Sequence, residues 1–168
     1  AVAAKQRDEA VYRAVYLDGL GNILRALADL GQRPRRLFFT SSTSVYGQRR
    51  GEWVDETSPT HPAGFAGEIV LSAERLLAAS RIPGTSLRLG GLYGPGRTRL
   101  IERVRRGEAR LRPGEAHYTN RIHRDDAAAA IQHLLGLAEP APTYVCVDSE
   151  PADEAEVLRI AHAEKNDG

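Results

Sequence analysis

The stretch that decides the fold is Leu37-Phe38-Phe39-Thr40-Ser41-Ser42-Thr43-Ser44-Val45-Tyr46-Gly47. Its first four residues form a short apolar run, which is typical of a buried strand. The run passes directly into a cluster of hydroxyl side chains. In a parallel sheet such a cluster lies at the carboxyl edge, where doubly wound folds bind their ligands. Taken alone, the segment is equally compatible with a serine-rich turn that binds nothing.

Two helices are predicted around this strand. Apolar residues at three- to five-residue steps indicate a helix from Asp8 to Leu30, ended by Gly31. A second helix is predicted from Phe65 to Ala79. The polar segment Ser41–Pro62 is predicted to be a loop of about 20 residues, a length at which loops without secondary structure are usually functional.

The rest of the chain continues the alternation of strands and helices. The predicted elements are a strand at Thr85–Leu89, a helix at Thr98–Arg106, an extended piece at Arg121–His123, a helix at Asp125–Leu137, a strand at Thr143–Val147 and a helix at Ala152–Ala163. This order favours right-handed crossovers and a mostly parallel sheet, so the predicted fold class is α/β with a doubly wound parallel sheet. Because three strands make a small sheet with apolar edges, we expect partner strands outside this sequence.

Bulk composition excludes several classes of function. The net charge of +1 implies neither a nucleic-acid partner nor an acidic membrane surface. The single cysteine, Cys146, can form neither an internal disulfide nor a cysteine-based metal site, which suits a reducing cytoplasm. The five histidines and 22 acidic residues show no metal-ligand spacing, and no apolar run reaches the roughly 18 residues of a membrane span.

Four motifs in order resemble the extended short-chain dehydrogenases/reductases, the NAD(P)-dependent sugar epimerase/dehydratase family. The family pattern is a strand that runs into Ser-Ser-x-x-Val-Tyr-Gly, an acidic-Pro segment, an Arg before a Tyr-Gly-Pro-Gly turn, and an Ile-His-x-x-Asp helix start. The matching residues are Ser41–Gly47, Asp55–Pro59, Arg88 with Tyr93–Gly96, and Ile122–Asp126. Each motif is weak alone, but their common order and spacing are specific. The resemblance runs from Ala1 to about Leu158.

The resemblance implies a domain plan. Residues 1–92 would be the C-terminal half of a Rossmann-like NAD(P)-binding domain, and residues 93–168 a small substrate-side lobe with a returning strand and helix. Ala1–Ala4 would end the fourth strand of that domain. The family's Gly-x-Gly-x-x-Gly turn would then precede this sequence, so binding of NAD or NADP would need that segment. Gly19-Leu20-Gly21 is interpreted as a chance match, because it lies inside a predicted helix with no strand before it.

The resemblance also implies a catalytic set, and the chain departs from it. The family uses a Ser or Thr that orients the substrate oxygen, and a Tyr whose pKa is lowered by a Lys four residues later. Ser42 matches the hydroxyl position. Phe65 and Ile69 occupy the expected Tyr and Lys positions, and no Tyr or Lys occurs from Gly47 to Gly84. This departure puts ordinary hydride-transfer catalysis in doubt.

The resemblance implies further candidate site residues. The predicted cofactor-binding residues are Ala3, Thr40, Ser41, Leu89, Gly90 and Gly91, and the predicted substrate-binding residues are Thr43, Tyr46, Tyr93, Arg97, Arg121 and His123. Arginines at 88, 97 and 121 are of the type that binds a diphosphate or carboxylate with two hydrogen bonds. His61 is a further titratable candidate. Asp125 and Asp126 are interpreted as helix caps instead of ligands.

Two functions are compatible with these observations. The first is an NAD(P)-dependent enzyme of the epimerase/dehydratase type with an atypical active site, acting on a sugar nucleotide or a similar hydroxyl or carbonyl compound. The second is a protein of the same fold that binds NAD(P) or a metabolite without catalysis. The missing Tyr and Lys favour the second, and the hydroxyl cluster favours the first. The resemblance further implies a homodimer formed through the two long helices.

Overall fold

A computed structural model describes residues 4, 7–48, 50–109 and 118–166 of the chain. The chain divides into two compact units. The first contains Ala1–Gly47, Val54–Arg88 and Gly136–Val145, and the second contains Gln48–Trp53, Leu89–Leu135 and Cys146–Gly168. The predicted division after residue 92 stays a prediction.

The first helical segment has three parts. They are α1 (Glu9–Tyr12), a π-helical turn (Arg13–Asp18) and α2 (Gly19–Asp29). The Asp8 carboxylate accepts a hydrogen bond from the Val11 amide at 3.0 Å and so caps the start. Gly31 ends the segment with a φ of 64°, a left-handed conformation that glycine adopts without a steric cost. The predicted helix is therefore present, with a wider turn at its centre.

Seven strands form three sheets. They are β1 (Leu37–Ser42), β2 (Gly84–Leu89), β3 (Gly91–Tyr93), β4 (Tyr118–Thr119), β5 (Arg121–His123), β6 (Thr143–Cys146) and β7 (Ala152–Asp153), all within the described residues. The largest sheet has the order β1-β2-β6 and is parallel. Between β2 and β6 the amide of Ser86 bonds to the Pro142 carbonyl and the amide of Gly90 to the Cys146 carbonyl. This constant offset is the pattern of parallel strands.

Helix α3 (Phe65–Ala78) covers this sheet and supplies much of the core of the first unit. The core cluster contains Leu20 from α2, Phe39 from β1, Val45, and Val70, Leu71, Ala73 and Leu77 from α3. Buried positions on α3 lie on more than one side, because the helix packs against β1 and against the preceding helical segment. In β2 every residue from Thr85 to Leu89 is buried, as expected for a central parallel strand.

The second unit is built from short strands and three helices. β3 pairs with β5 in parallel, with Tyr93 opposite His123, and β4 pairs with β7 antiparallel. The helices are α4 (Arg99–Arg105), α5 (Arg124–Gly136) and α6 (Glu154–Asn166). No helix within the described ranges is both long and apolar enough to cross a membrane.

Several sequence-based boundaries are wrong. Ser41 and Ser42 belong to β1 and not to the loop, and residues 91–93 of the glycine-rich run form a strand. Ala152 and Asp153 pair with β4 instead of starting the last helix. These strands are too short for an alternation pattern to reveal them.

The assignment of Asp125 and Asp126 as caps is also wrong. Helix α5 begins at Arg124, so both aspartates lie in its first turn. The ring Nδ1 of His123 accepts the hydrogen bond from the Asp125 amide at 3.3 Å. A histidine nitrogen therefore does what the aspartate oxygen was expected to do.

Candidate functional site

The hydroxyl cluster lies at the carboxyl end of β1, as predicted. Thr40 is exposed, Ser41 is buried and Ser42 is partly buried, in keeping with the alternation of a strand. Ser42 starts a 3-10 turn formed by Thr43–Val45, and its Oγ accepts a hydrogen bond from the Ser44 amide at 3.1 Å. No described residue accepts the hydrogen of the Ser42 hydroxyl, so this group can donate to a ligand oxygen.

Beneath this edge lies a buried polar network that centres on Glu74 of α3. Arg88 of β2 donates to Glu74 through Nε at 3.1 Å and Nη2 at 2.8 Å, and both side chains are 8% exposed. The Ser41 hydroxyl donates to the Oε1 atom of the same carboxylate. Burial disfavours the charge of Arg88, but its hydrogen bonds to Glu74 and Tyr46 outweigh this and raise its pKa.

Arg88 is therefore bonded to side chains of the protein itself. It holds a carboxylate with two hydrogen bonds, as expected of its chemistry, but the carboxylate belongs to Glu74. The sequence did not reveal this ion pair, because it shows Glu74 only as one acidic residue in an amphipathic helix. Ser41 lies in the same network, so its hydroxyl is committed to the protein. A contact between Ser41 and a cofactor stays a prediction. Such a contact would involve the backbone of Ser41.

Tyr46 extends the network to the loop after β1. Its hydroxyl accepts a hydrogen bond from Arg88 Nη1 at 2.7 Å and donates to the Asp55 carbonyl at 2.7 Å. The Arg88 guanidinium also lies over the ring, 5.1 Å from its centroid. Burial raises the pKa of Tyr46 more than the bond from Arg88 lowers it. Its two hydrogen bonds link Arg88 to the Asp55 carbonyl, so the phenol anchors the loop.

The acidic-Pro segment is a compact turn around Asp55. Its Oδ1 accepts from the Thr57 amide and hydroxyl at 2.9 and 2.8 Å and from the Ser58 hydroxyl at 2.9 Å. These bonds, led by those from the Thr57 and Ser58 side chains, lower the pKa of Asp55. The role of this segment is thus to shape the loop beside the hydroxyl cluster.

Titration should reveal this turn directly. We expect Asp55 to titrate below its usual range, and a Thr57→Val/Ser58→Ala variant to bring its pKa back towards the ordinary value. A lowered folded-state pKa stabilises the turn above the unfolded pKa, and this contribution disappears as the pH falls through the folded value. Carboxyl-carbon NMR shifts measured from pH 2 to 6 provide the test. Identical midpoints in parent and variant would contradict the assignment.

The start of α3 contains no proton-carrying pair. The Phe65 ring packs edge-on against Tyr12 at 5.6 Å, and Ile69 is 3% exposed. Both positions where the resemblance expects Tyr and Lys are therefore used for packing. His61, the remaining nearby candidate, is exposed, and its carbonyl lies where a Cβ atom on Gly47 would be. Glycine at 47 is required so that the two ends of the loop can meet.

In the second unit, three predicted substrate-binding residues lie on paired strands. Tyr93 and His123 are opposite each other, with their rings edge-to-face at 5.2 Å. Arg121 begins the strand that His123 ends, and its guanidinium donates to the Thr119 hydroxyl at 2.9 Å. Gly94 has a φ of 119°, and a Cβ atom there would lie 2.5 Å from His123 Nε2. Arg97 is exposed and closes the same turn through a bridge to Gly94. Ligand contacts by these residues stay predictions.

Three of the predicted cofactor residues lie at the end of β2 and directly after it, where they pack against neighbouring backbone. Leu89 is buried, and the amides of Gly90 and Gly91 bond to the Cys146 and Asn120 carbonyls at 3.0 and 2.9 Å. A Cβ atom on Gly90 would lie 3.0 Å from the Asn120 oxygen, so glycine allows the close approach of the two backbones. Ala3 lies outside the described residues. No group of three metal-binding side chains occurs among the residues that the structure describes.

The described residues supply part of what a dinucleotide needs. The exposed Thr40 hydroxyl and the available hydrogen of Ser42 suit the ribose and amide groups of such a ligand. The Gly-x-Gly-x-x-Gly pattern, whose turn would hold the pyrophosphate at a helix N-terminus, does not occur among the described residues. The hydroxyls of Thr40 and Ser42 therefore fit the ribose and amide groups of a dinucleotide, and not its pyrophosphate.

A parallel α/β sheet with a hydroxyl cluster at its carboxyl edge is typical of the Rossmann-type fold. Residues 1–146 match the model of the NAD dependent epimerase/dehydratase family. The chain belongs to that family, which confirms the resemblance drawn from the four motifs.

Relatives agree with this assignment. The chain is 38% identical over 127 residues to Protein YeeZ of Escherichia coli strain K12, covering 73% of this chain and 44% of that protein. It is 30% identical over 152 residues to a 3-diazoavenalumate denitrifying reductase of a Streptomyces species, covering 84% and 49%. A structure from Methylobacillus flagellatus, provisionally assigned as an NAD-dependent epimerase/dehydratase, superposes with a TM-score of 0.77 at 39% identity, covering 94% and 57%. The chain thus spans about half the length of its relatives.

Proposed function

We propose that this chain is part of an NAD(P)-dependent oxidoreductase or isomerase of the sugar-nucleotide epimerase/dehydratase type, with an active site that lacks the usual Tyr–Lys pair. The observation that carries the proposal is the Ser42 hydroxyl, which lies at the carboxyl end of β1 with its hydrogen available. Family membership and the reductase relative support it. The substrate class proposed is a sugar nucleotide or a related hydroxyl or carbonyl compound.

In this proposal the protein positions the substrate and does not move a proton through α3. NAD(P), when bound, supplies hydride transfer. Thr40 and Ser42 bind ligand oxygens at the sheet edge, and the Tyr46–Asp55 contact holds the loop that borders them. A proton that the reaction needs comes from a group other than Phe65 or Ile69. Electron-poor acceptors suit such a site, because the anion formed when they accept a hydride takes its proton from water.

A specific observation favours the alternative function, a protein that binds NAD(P) or a metabolite without turnover. Phe65 and Ile69 are integrated into the packing, and the Tyr46 proton is held by the Asp55 carbonyl. The first unit thus contains a hydroxyl with an available hydrogen but no Tyr–Lys pair at the start of α3. A reducing cytoplasm and a homodimer through the α1–α2 and α3 segments also stay predictions.

Measurements of binding and of turnover separate the two functions. They use a protein with the full length of the relatives. We expect NAD(H) or NADP(H) to bind, with oxidation of NAD(P)H followed at 340 nm across sugar nucleotides and electron-poor acceptors. Ser42→Ala should lower kcat/KM about 10- to 100-fold, because the substrate oxygen loses a positioned donor. Ser72→Ala, on α3, is the control, because the Ser72 hydroxyl donates to the Glu68 carbonyl of its own helix at 2.8 Å. Binding without turnover supports the alternative, and absence of dinucleotide binding contradicts the enzyme and the NAD(P)-binding form of the alternative.

A further inference from the structure

The first unit contains a cavity that is separate from the carboxyl edge of the sheet. It has a volume of about 530 Å³ and lies between the second half of α3, the turn that connects α3 to β2, and the first residues of β2 and β6. This volume is within the range of roughly 300–1,000 Å³ found for small-molecule sites. Because the starts of β2 and β6 line it, the cavity lies towards the amino-terminal edge of the parallel strands.

The cavity is lined by one face of α3 and one face of β2, as the spacing of the lining residues shows. Positions 71, 74, 75 and 78 fall on one face of α3, at steps of three and four residues. Positions 84, 86 and 88 fall on one face of β2, at steps of two. The cavity is therefore a defined space between two packed faces of one unit.

The charges that line this cavity are predominantly positive. Arg75 and Arg81 both line it and are exposed, and neither has a carboxylate partner in the part of the chain that the structure describes. Glu74 is the acidic residue of the lining, and Arg88 and Ser41 already occupy its two oxygens. The two unpaired guanidinium groups therefore give the cavity an uncompensated positive charge.

A buried hydroxyl adds an observation that is independent of the charges. Ser86 lines the cavity and is 6% exposed, yet no described residue forms a hydrogen bond with its hydroxyl. A buried polar group without a partner is uncommon, because no hydrogen bond offsets the loss of its contact with water. By contrast, the Ser80 hydroxyl in the same lining donates to the Ile82 carbonyl at 3.1 Å. The Ser86 hydroxyl can thus both donate and accept a hydrogen bond inside the cavity.

We propose that this cavity binds a small organic anion, a carboxylate or phosphate group attached to an apolar body. Arg75 and Arg81 bind the anionic group, and Ser86 forms a hydrogen bond to the ligand. Apolar side chains of the same lining, including Leu71, Ile82 and Pro142, contact the ligand body. The inner wall is the Glu74–Arg88 pair, which also contacts Ser41 and Tyr46.

Titration of the chain with matched probes tests the site. The probes are phenyl phosphate, benzoate, inorganic phosphate and the neutral benzyl alcohol, followed by calorimetry or amide NMR shifts. We expect saturable binding of at least one organic anion, weaker binding of inorganic phosphate, and none of the alcohol. The phenyl phosphate and benzoate arms identify the anionic group. Added salt should weaken the binding because the contacts are ionic.

Variants locate the binding. Arg75→Gln and Arg81→Gln should each weaken it about two- to fivefold, in keeping with exposed ion pairs. The control is Arg25→Gln, an exposed arginine on α2 of the same unit. Ser86→Ala should weaken binding without lowering the midpoint of urea unfolding, since the hydroxyl that it removes has no partner.

Three outcomes would overturn the proposal. They are no saturable binding of either organic anion, equal affinity in the parent and an Arg75→Gln/Arg81→Gln double variant, and an equal loss in the Arg25→Gln control. Inorganic phosphate binding as tightly as phenyl phosphate would overturn the contribution of the apolar body. Circular dichroism of each variant shows whether the fold is intact. Because no dinucleotide takes part, these results are independent of the proposed function.

Discussion

Glu74→Gln is expected to lower the free energy of unfolding by about 3–5 kcal/mol, the usual cost of removing one member of a buried ion pair. The change leaves the Arg88 guanidinium charged inside the first unit, where 8% of its side chain is exposed. It also changes the group that accepts the hydrogen bond from the Ser41 hydroxyl. Glutamine keeps the size of the side chain, so the loss reports the charge. Urea denaturation followed by circular dichroism measures it.

Two further variants separate the ion pair from general effects on the helix. Glu102→Gln breaks a pair with Arg106 whose side chains are 50% and 64% exposed, and should cost less than about 1 kcal/mol. A Glu74→Leu/Arg88→Met double variant should be more stable than Glu74→Gln, because it removes both buried charges. A loss below about 1 kcal/mol for Glu74→Gln would show that Arg88 reaches water when its partner is neutral.

Gly67→Ala is expected to destabilise the protein by about 1–3 kcal/mol or more, the cost of overpacking, although alanine is the better helix former. A Cβ atom at position 67 would overlap the Ser44 carbonyl oxygen and lie 2.8 Å from Pro62 Cβ. Ser44 belongs to the 3-10 turn that follows Ser42. The substitution therefore pushes α3 away from the hydroxyl cluster. We expect it to weaken ligand binding at that edge as well as stability.

Gly21→Ala is the matched control for this prediction. Gly21 lies in α2, and a Cβ atom there would be 3.7 Å from Leu76 Cδ2, an ordinary contact. Alanine should therefore stabilise the protein by about 0.5–1 kcal/mol through its helix propensity. In thermal or urea unfolding, we expect changes in stability of opposite sign for the two variants. Stabilisation by Gly67→Ala would contradict the close packing of α3 against the turn.

Local sequence patterns predicted most of the elements of the first unit. The two helical segments and the strands β1, β2 and β6 follow from apolar periodicity and from glycine at position 31. The parallel sheet was predicted from the alternation of strands and helices and is confirmed. Short pairings such as β3 with β5 and β4 with β7 were missed, because two or three residues contain no period to detect.

The chemistry of individual side chains was harder to predict. The sequence marked Arg88 and Tyr46 as candidates for ligand contacts, yet Glu74, 14 residues before Arg88, binds Arg88, which in turn binds Tyr46. No local pattern signals that these three residues meet. The available hydrogen of Ser42 and the unpartnered hydroxyl of Ser86 likewise depend on what surrounds each group. Hydrogen-bond satisfaction is a property of the packed structure.

The sequence by itself determined the family, the α/β class and the absence of a Tyr–Lys pair at the start of α3, because motif order and residue identity need no coordinates. Only the tertiary structure decided which polar groups are available to ligands and which are used within the protein. The physical reason is that burial and hydrogen bonding arise from contacts between segments far apart in the chain. Those contacts commit Arg88 to Glu74, and leave the hydroxyl hydrogens of Ser42 and Ser86 without an acceptor among the described residues.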